Sequence, residues 1–244
     1  MTKSEQPLAG RIALVTGASR GIGRASALAL AKAGAHVIAL SRTKAALEEL
    51  DDEIETATGQ GATLVPMDLT DPKALDVLGA ALYERFGKLD ILVSAAGELG
   101  VITPVGHMDI KTFNRVVEVN LTANWRLLRS FDPLFKRSDA ARLIFLTSGV
   151  AKKPRAFWGA YAATKAALET LVAVYADEVE TTTIRTTLVN PGPVRTKMRA
   201  AAFPGEDPDT LTPPEAIAPL IVELARGDAQ PPAEVDFKVW AEAG

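Results

Sequence analysis

The sequence predicts a doubly wound α/β fold, about seven parallel strands with helices on both faces of the sheet. Three features predict it. Short apolar runs recur without polar alternation, as strands buried on both faces require. Helical patterns of about ten to twenty residues separate them, the length of a right-handed crossover between parallel strands. Glycine or proline stands at many of the joins, where chain reversal needs it.

Ile12 to Thr16 (IALVT), between Gly10 and Gly17, reads as the first strand. Gly21 to Ala33 follows as an Ala- and Leu-rich helix that stops at Gly34, a residue suited to the left-handed turn that ends helices. Val37 to Leu40, Lys44 to Thr58 and Thr63 to Val65 continue the rhythm as strand, helix and strand. Pro72 opens a helix reaching Phe86, where its missing N–H has no helical partner to lose. Asp90 to Val93 is the fourth strand, and Ile110 to Phe135 a long helix broken near Pro133. Leu143 to Thr147, a helix over Gly159 to Glu180, and Ile184 to Val189 come next, with Pro213 to Arg226 and Val235 to Val239 as the last helix and strand. No repeat or linker divides residues 1–244, so one domain is expected. The Pro- and Gly-rich segment 191–214 leaves a strand at its carboxyl end, where such sheets bind ligands, and reads as a substrate lid.

Composition removes several function classes. Lys plus Arg total 27 against 30 Asp plus Glu, a formal charge of −3, which provides no basic face for nucleic acid. Cysteine is absent, excluding disulfides and thiolate chemistry. The two histidines, His36 and His107, lack metal-binding spacing, and His36 sits in an apolar run as a core or surface-edge residue, so no metal is expected. The longest stretch free of Asp, Glu, Lys and Arg is the twelve residues from Thr56 to Met67, short of the ~20 a membrane helix needs. Met1 to Gly10 carries no apolar leader core, which makes the cytoplasm the expected compartment.

The first chemical signal is Thr16-Gly17-Ala18-Ser19-Arg20-Gly21-Ile22-Gly23, between the first strand and the first helix. Glycines there permit a tight turn and let backbone N–H groups approach a pyrophosphate at the positive end of the helix. At the end of the second strand an NAD-selecting enzyme tends to place an acidic residue against the ribose hydroxyls. Here Leu40-Ser41-Arg42 stands instead, with no carboxylate of its own, and Arg42 with Arg20 suits the 2′-phosphate of NADP(H). The second signal is Tyr161-Ala-Ala-Thr-Lys165, a tyrosine and lysine one helical turn apart, with Ser148 just past the fifth strand. A cation one turn from a phenol of pKa near 10 favours the phenolate, and a serine hydroxyl can donate to a carbonyl oxygen gaining negative charge.

Taken in order, these motifs resemble the short-chain dehydrogenase/reductases over nearly the whole chain: TGASRGIG at Thr16 to Gly23, Asp68, Ser94-Ala-Ala-Gly97, Asn120, Ser148, Tyr161 with Lys165, and Pro191-Gly192 with Thr196. The resemblance implies a homo-oligomeric Rossmann-type enzyme, dimer or tetramer, moving hydride between a nicotinamide and a small carbonyl or alcohol. It implies Asn120, Ser148, Tyr161 and Lys165 as the catalytic group, with Asn120 anchoring a water that relays protons to Lys165. Gly17, Ser19, Arg20, Gly21, Ile22, Gly23, Ser41, Arg42, Asp68, Leu69, Ala95, Ala96, Gly97, Pro191, Gly192 and Thr196 are the expected cofactor contacts. Two departures stand out. Ser94-Ala95-Ala96-Gly97 lacks the two amides of the usual Asn-Asn-Ala-Gly, so the bracing near the cofactor must come from Ser94 or elsewhere. The tail after Phe237-Lys-Val-Trp240 lacks the usual glycine-rich ending, which puts the common tetramer contact in doubt. Phe157, Trp158, Met198 and Phe203 are expected to form an apolar pocket wall, favouring a mainly apolar substrate. A catalytically idle dinucleotide-binding sensor or scaffold is the alternative, and it leaves Ser148, Tyr161 and Lys165 unexplained.

Overall fold

A computed structural model of the chain describes residues 6–243; part of the stretch read for a leader lies outside them. Seven strands form one sheet: β1 (Ile12–Thr16), β2 (His36–Ser41), β3 (Thr63–Pro66), β4 (Ile91–Ser94), β5 (Arg142–Leu146), β6 (Arg185–Asn190) and β7 (Glu234–Asp236). Their order is β3-β2-β1-β4-β5-β6-β7, with every neighbouring pair parallel. The order reverses between β1 and β4, so the connections leaving them diverge and open a crevice at their carboxyl ends.

Successive side chains of a strand point to opposite faces, and each face carries its own core. On one face α1 (Gly21–Lys32), α2 (Lys44–Thr58) and α8 (Pro214–Leu224) bury Leu30, Leu47 and Ile217 with Val15 and Val93. On the other, α3 (Pro72–Phe86), α5 (Ala123–Phe135) and α6 (Gly159–Glu178) bury Leu75, Phe131 and Leu168 with Leu14 and Leu92. Short helices α4 (Ile110–Val117), α7 (Lys197–Ala202) and α9 (Phe237–Ala243) complete the set. No helix among the described residues is long and apolar enough to cross a membrane.

Two elements differ from the sequence reading. The helix over 110–135 does not break at Pro133, which lies within α5; it is interrupted by a π-turn at Glu118–Thr122. There the Asn124 side-chain amide donates to the Asn120 carbonyl at 2.8 Å, the acceptor that a regular helix offers to the Asn124 backbone N–H. The last strand ends at Asp236 instead of Val239, because the Asp236 carboxylate accepts from the Lys238 N–H at 3.0 Å and starts α9. His36 is a half-buried edge residue whose Nε2 pairs with Thr63 Oγ1 at 2.9 Å.

Phe131 is fully buried between α5 and the sheet. Phe131→Ala should lower unfolding free energy by ~3–5 kcal/mol in urea titration, the cost of an aromatic-sized core void; a loss under about 1 kcal/mol would show that this face of the core is not close-packed.

Candidate active site

The crevice is a groove of about 1150 Å³ along the carboxyl ends of the strands. Its floor at one end is the turn from β1 to α1. Gly17 and Gly21 have φ of +68° and +56°, which side chains disfavour. A Cβ on Gly17 would also lie 2.9 Å from the Ala96 amide nitrogen, so the turn rests backbone to backbone on the loop after β4. Gly23 is held the same way against the Gly17 carbonyl. No side chain caps α1 at Arg20, which leaves the first N–H groups of the helix for a ligand.

The loop after β4 is braced without the two missing amides. Thr16 Oγ1, fully buried, accepts from the N–H groups of Ala95 and Ala96 at 3.2 Å each. Ser94 Oγ donates to Asn124 Oδ1 at 2.5 Å. Asn120 then ties the loop to α6: its Oδ1 accepts from Glu98 N–H at 2.8 Å, and its Nδ2 donates to the Glu98 carbonyl at 2.9 Å and to Thr164 Oγ1 at 3.1 Å. The Asn120 side chain is thus occupied by protein partners. The bracing by Thr16 and Asn124 is not legible in the sequence, because Thr in a strand and Asn in a helix announce no such contact.

All sixteen expected cofactor contacts line this groove, as do Ser148, Tyr161 and Lys165; Asn120 lies behind it. The corner at Arg42 differs from the reading of Leu40-Ser41-Arg42 alone. Two carboxylates reach it from the loops after β4 and β3: Glu98 Oε1 lies 3.3 Å and Asp68 Oδ2 3.9 Å from Arg42 Nη1. Arg115, from α4, joins them, donating to Glu98 Oε1 from Nε at 3.2 Å and Nη2 at 3.1 Å, to Asp68 Oδ2 at 3.2 Å and to Thr70 Oγ1 at 2.8 Å. Burial would raise the Asp68 carboxyl, but hydrogen bonds from the Thr70 amide and hydroxyl and the charge of Arg115 hold it below the usual carboxylate range.

At the other end, Ser148 follows β5 while Tyr161 and Lys165 share one face of α6. Lys165 Nζ donates to the Leu146 carbonyl at 2.7 Å and lies 5.8 Å from the centre of the Tyr161 ring. Burial pushes the Tyr161 phenol up to about 12, against a hydrogen bond with Ser148 that lowers it. The lowering expected from Lys165 is not seen on this phenol; burial sets the direction and only the Ser148 hydrogen bond opposes it. Burial also lowers Lys165 to about 8, opposed by the charge of Glu169. Glu169 in turn accepts from Thr147 Oγ1 at 2.6 Å.

Three of the four expected wall residues gather here. The Trp158 ring lies 5.9 Å from that of Tyr161 and 5.8 Å from that of Phe203, and Met198 packs beside Tyr161 and Trp158. Phe157 does not join them. Its left-handed backbone, φ +75°, turns its side chain outward, where it is 52% exposed, while its carbonyl accepts from Thr103 N–H at 3.1 Å. Segment 191–214 folds back on itself through the Arg195 N–H bond to the Thr212 carbonyl at 2.8 Å, and α7 is capped by Thr196.

A family model described as short chain dehydrogenase matches residues 11–207. The chain belongs to this family. Among curated relatives of this short-chain dehydrogenase, the Escherichia coli protein named uncharacterized oxidoreductase YciK is 38% identical over 222 residues, 90% of this chain and 88% of its own. An Arabidopsis thaliana chloroplastic NADPH-dependent aldehyde reductase-like protein is 35% identical, covering 88% of this chain and 82% of its own. A crystal structure of an Escherichia coli short chain dehydrogenase complexed with NADPH superposes with a TM-score of 0.92 at 37% identity, covering 96% of this chain and 99% of that one.

With Lys165 lowered to about 8 from its ordinary 10.5, the fold binds fewer protons than the unfolded chain across that window. The contribution of this group to stability therefore rises with pH between those values. Met in its place carries no proton, so wild type, read from urea midpoints, should gain stability relative to Lys165→Met as pH rises through the window. A difference that stays constant with pH would contradict the depressed lysine.

Proposed function

We propose that this short-chain dehydrogenase uses NADP(H) to interconvert a carbonyl and an alcohol whose body is mainly apolar. The observation that carries the reading is one groove with Ser148, Tyr161 and Lys165 at one end, uncapped helix N–H groups on its floor, and Arg42 and Arg20 at the other. The groove fits a dinucleotide on its own terms, since the first N–H groups of α1 carry no side-chain cap and Arg20 and Arg42 both line it. The NADPH bound to the Escherichia coli neighbour supports the cofactor, and the aldehyde reductase relative supports the direction of chemistry.

Gly17 to Gly23 would hold the pyrophosphate, Arg42 and Arg20 the 2′-phosphate, Asp68 and Leu69 the adenine edge, and Ala95 to Gly97, Pro191, Gly192 and Thr196 the nicotinamide half. The bound nicotinamide supplies or accepts the hydride. The protein does the rest. Ser148 donates a hydrogen bond to the substrate oxygen as its charge grows, and Tyr161 Oη gives that oxygen its proton. Lys165, kept in place by the Leu146 carbonyl, offers the nearby cation that eases the loss of the tyrosine proton. Asn120 acts as a positioning residue, fixing the loop after β4 against α6. Trp158, Phe203 and Met198 keep water from the reacting carbonyl and favour apolar substrates. Exposed Trp125 on α5 and Val174 on α6 are consistent with a homo-oligomer, dimer or tetramer.

Tyr161→Phe removes only the proton donor. Reduction of an aldehyde panel with NADPH should fall by ~10²–10⁴-fold while NADPH affinity stays close to wild type; retention of more than about a tenth of the rate would remove Tyr161 from the acid role. Trp158→Ala should change the ranking of kcat/KM among substrates of different size without changing the assembly in light scattering. A change in assembly with an unchanged ranking would instead make Trp158 an interface residue.

A further inference from the structure

The corner proposed above for the 2′-phosphate already holds two carboxylates, and this inference rests on that reading. Asp68 is engaged elsewhere: Oδ1 accepts from Thr70 N–H and Oγ1 at 2.9 Å each, and Oδ2 from Arg115 at 3.2 Å, leaving Arg42 at 3.9 Å. Glu98 sits closer, with Oε1 at 3.3 Å from Arg42 Nη1 and on the Arg115 guanidinium. It has little freedom to withdraw. Asn120 holds its backbone on both sides, and Arg115 grips its carboxylate from α4. Arg42 and Arg115 are balanced by Asp68 and Glu98, which leaves Arg20, among the described residues, as the uncompensated cation proposed for this corner.

We propose that Glu98 is a specificity-determining residue: its carboxylate, held by Arg115 and seated on Arg42, competes with the 2′-phosphate and limits how strongly NADP(H) is preferred over NAD(H). A phosphate at Arg42 must displace this ion pair and lie beside a fixed negative charge. A free 2′-hydroxyl meets no such repulsion and can donate to the same carboxylate. The Arg42 and Glu98 side chains are 55% and 28% exposed, so water and salt screen the effect and it is modest.

The test is isothermal titration of the purified full chain with NADP+ and with NAD+, giving the ratio Kd(NAD+)/Kd(NADP+) for wild type, Glu98→Gln and Glu98→Ala. Glu98→Gln keeps the side-chain shape and leaves the Asn120 contacts, which are to the backbone. Glu98→Ala serves if the Gln variant fails to fold. The ratio should rise about 3–10-fold on loss of the charge, and the rise should shrink at high salt. A ratio within about twofold of wild type in the folded variants would overturn the proposal, including the case in which both cofactors weaken together because the loop has loosened. The wild-type ratio by itself judges the NADP(H) reading: if wild type favoured NAD+, that reading would fall, while a rise on removing Glu98 would still establish the competition.

Discussion

Where the turn after β1 meets the loop after β4, two backbones touch with no side chain between them, and the geometry of the whole groove depends on that contact. Gly17 has space for a hydrogen only, and Thr16 fastens the same loop by accepting two of its amides. The sheet order makes the contact possible, because β1 and β4 are neighbours whose connections leave toward opposite faces. From there the loop runs to Glu98, whose backbone Asn120 clamps, and Asn120 carries the link through Thr164 to the helix bearing Tyr161 and Lys165. The turn after β1 and the helix bearing Tyr161 are thereby joined by a short chain of hydrogen bonds. A π-turn at Glu118–Thr122 presents Asn120 at that junction.

Electrostatics differ sharply between the two ends. Tyr161 and Lys165 are buried, and desolvation disfavours the charged form of each, pushing the phenol up to about 12 and the ammonium down to about 8. Pairing with a ligand charge therefore has large leverage there. At the Arg42 end the groups are partly solvated and balance one another, so single charges shift preference in small steps. The Tyr161 end excludes water, and the Arg42 end does not.

Much of this was legible in the sequence, for physical reasons that vary by residue. Runs such as Ile12–Thr16 reveal strands because a sheet covered on both faces demands uninterrupted apolar residues. The glycines of the first turn, and Tyr161 with Lys165, are legible because spacing along one turn or one helix face fixes their proximity. Contacts between distant segments are not. Glu98 reaches Arg42, and Arg115 reaches Glu98, only once the sheet order brings the loop after β4 and α4 to the carboxyl end of β2, so the carboxylates at that corner could not be read from Leu40-Ser41-Arg42. Phe157 and Trp158 are adjacent and both aromatic; only the left-handed backbone at Phe157 decides which turns inward. Pro133 carries the strongest helix-breaking signal in its segment, yet tertiary packing keeps it helical and the interruption falls at Asn120.

Direct hydride transfer in this groove follows from the proposed function. It is tested most directly by a single turnover with NADPH carrying deuterium at the transferable position of the nicotinamide and an apolar aldehyde in ordinary water, with the product alcohol examined by NMR. The expected product carries one deuterium on the former carbonyl carbon and a solvent proton on the oxygen. A product with solvent hydrogen on that carbon, or no product while the cofactor remains bound, would contradict it.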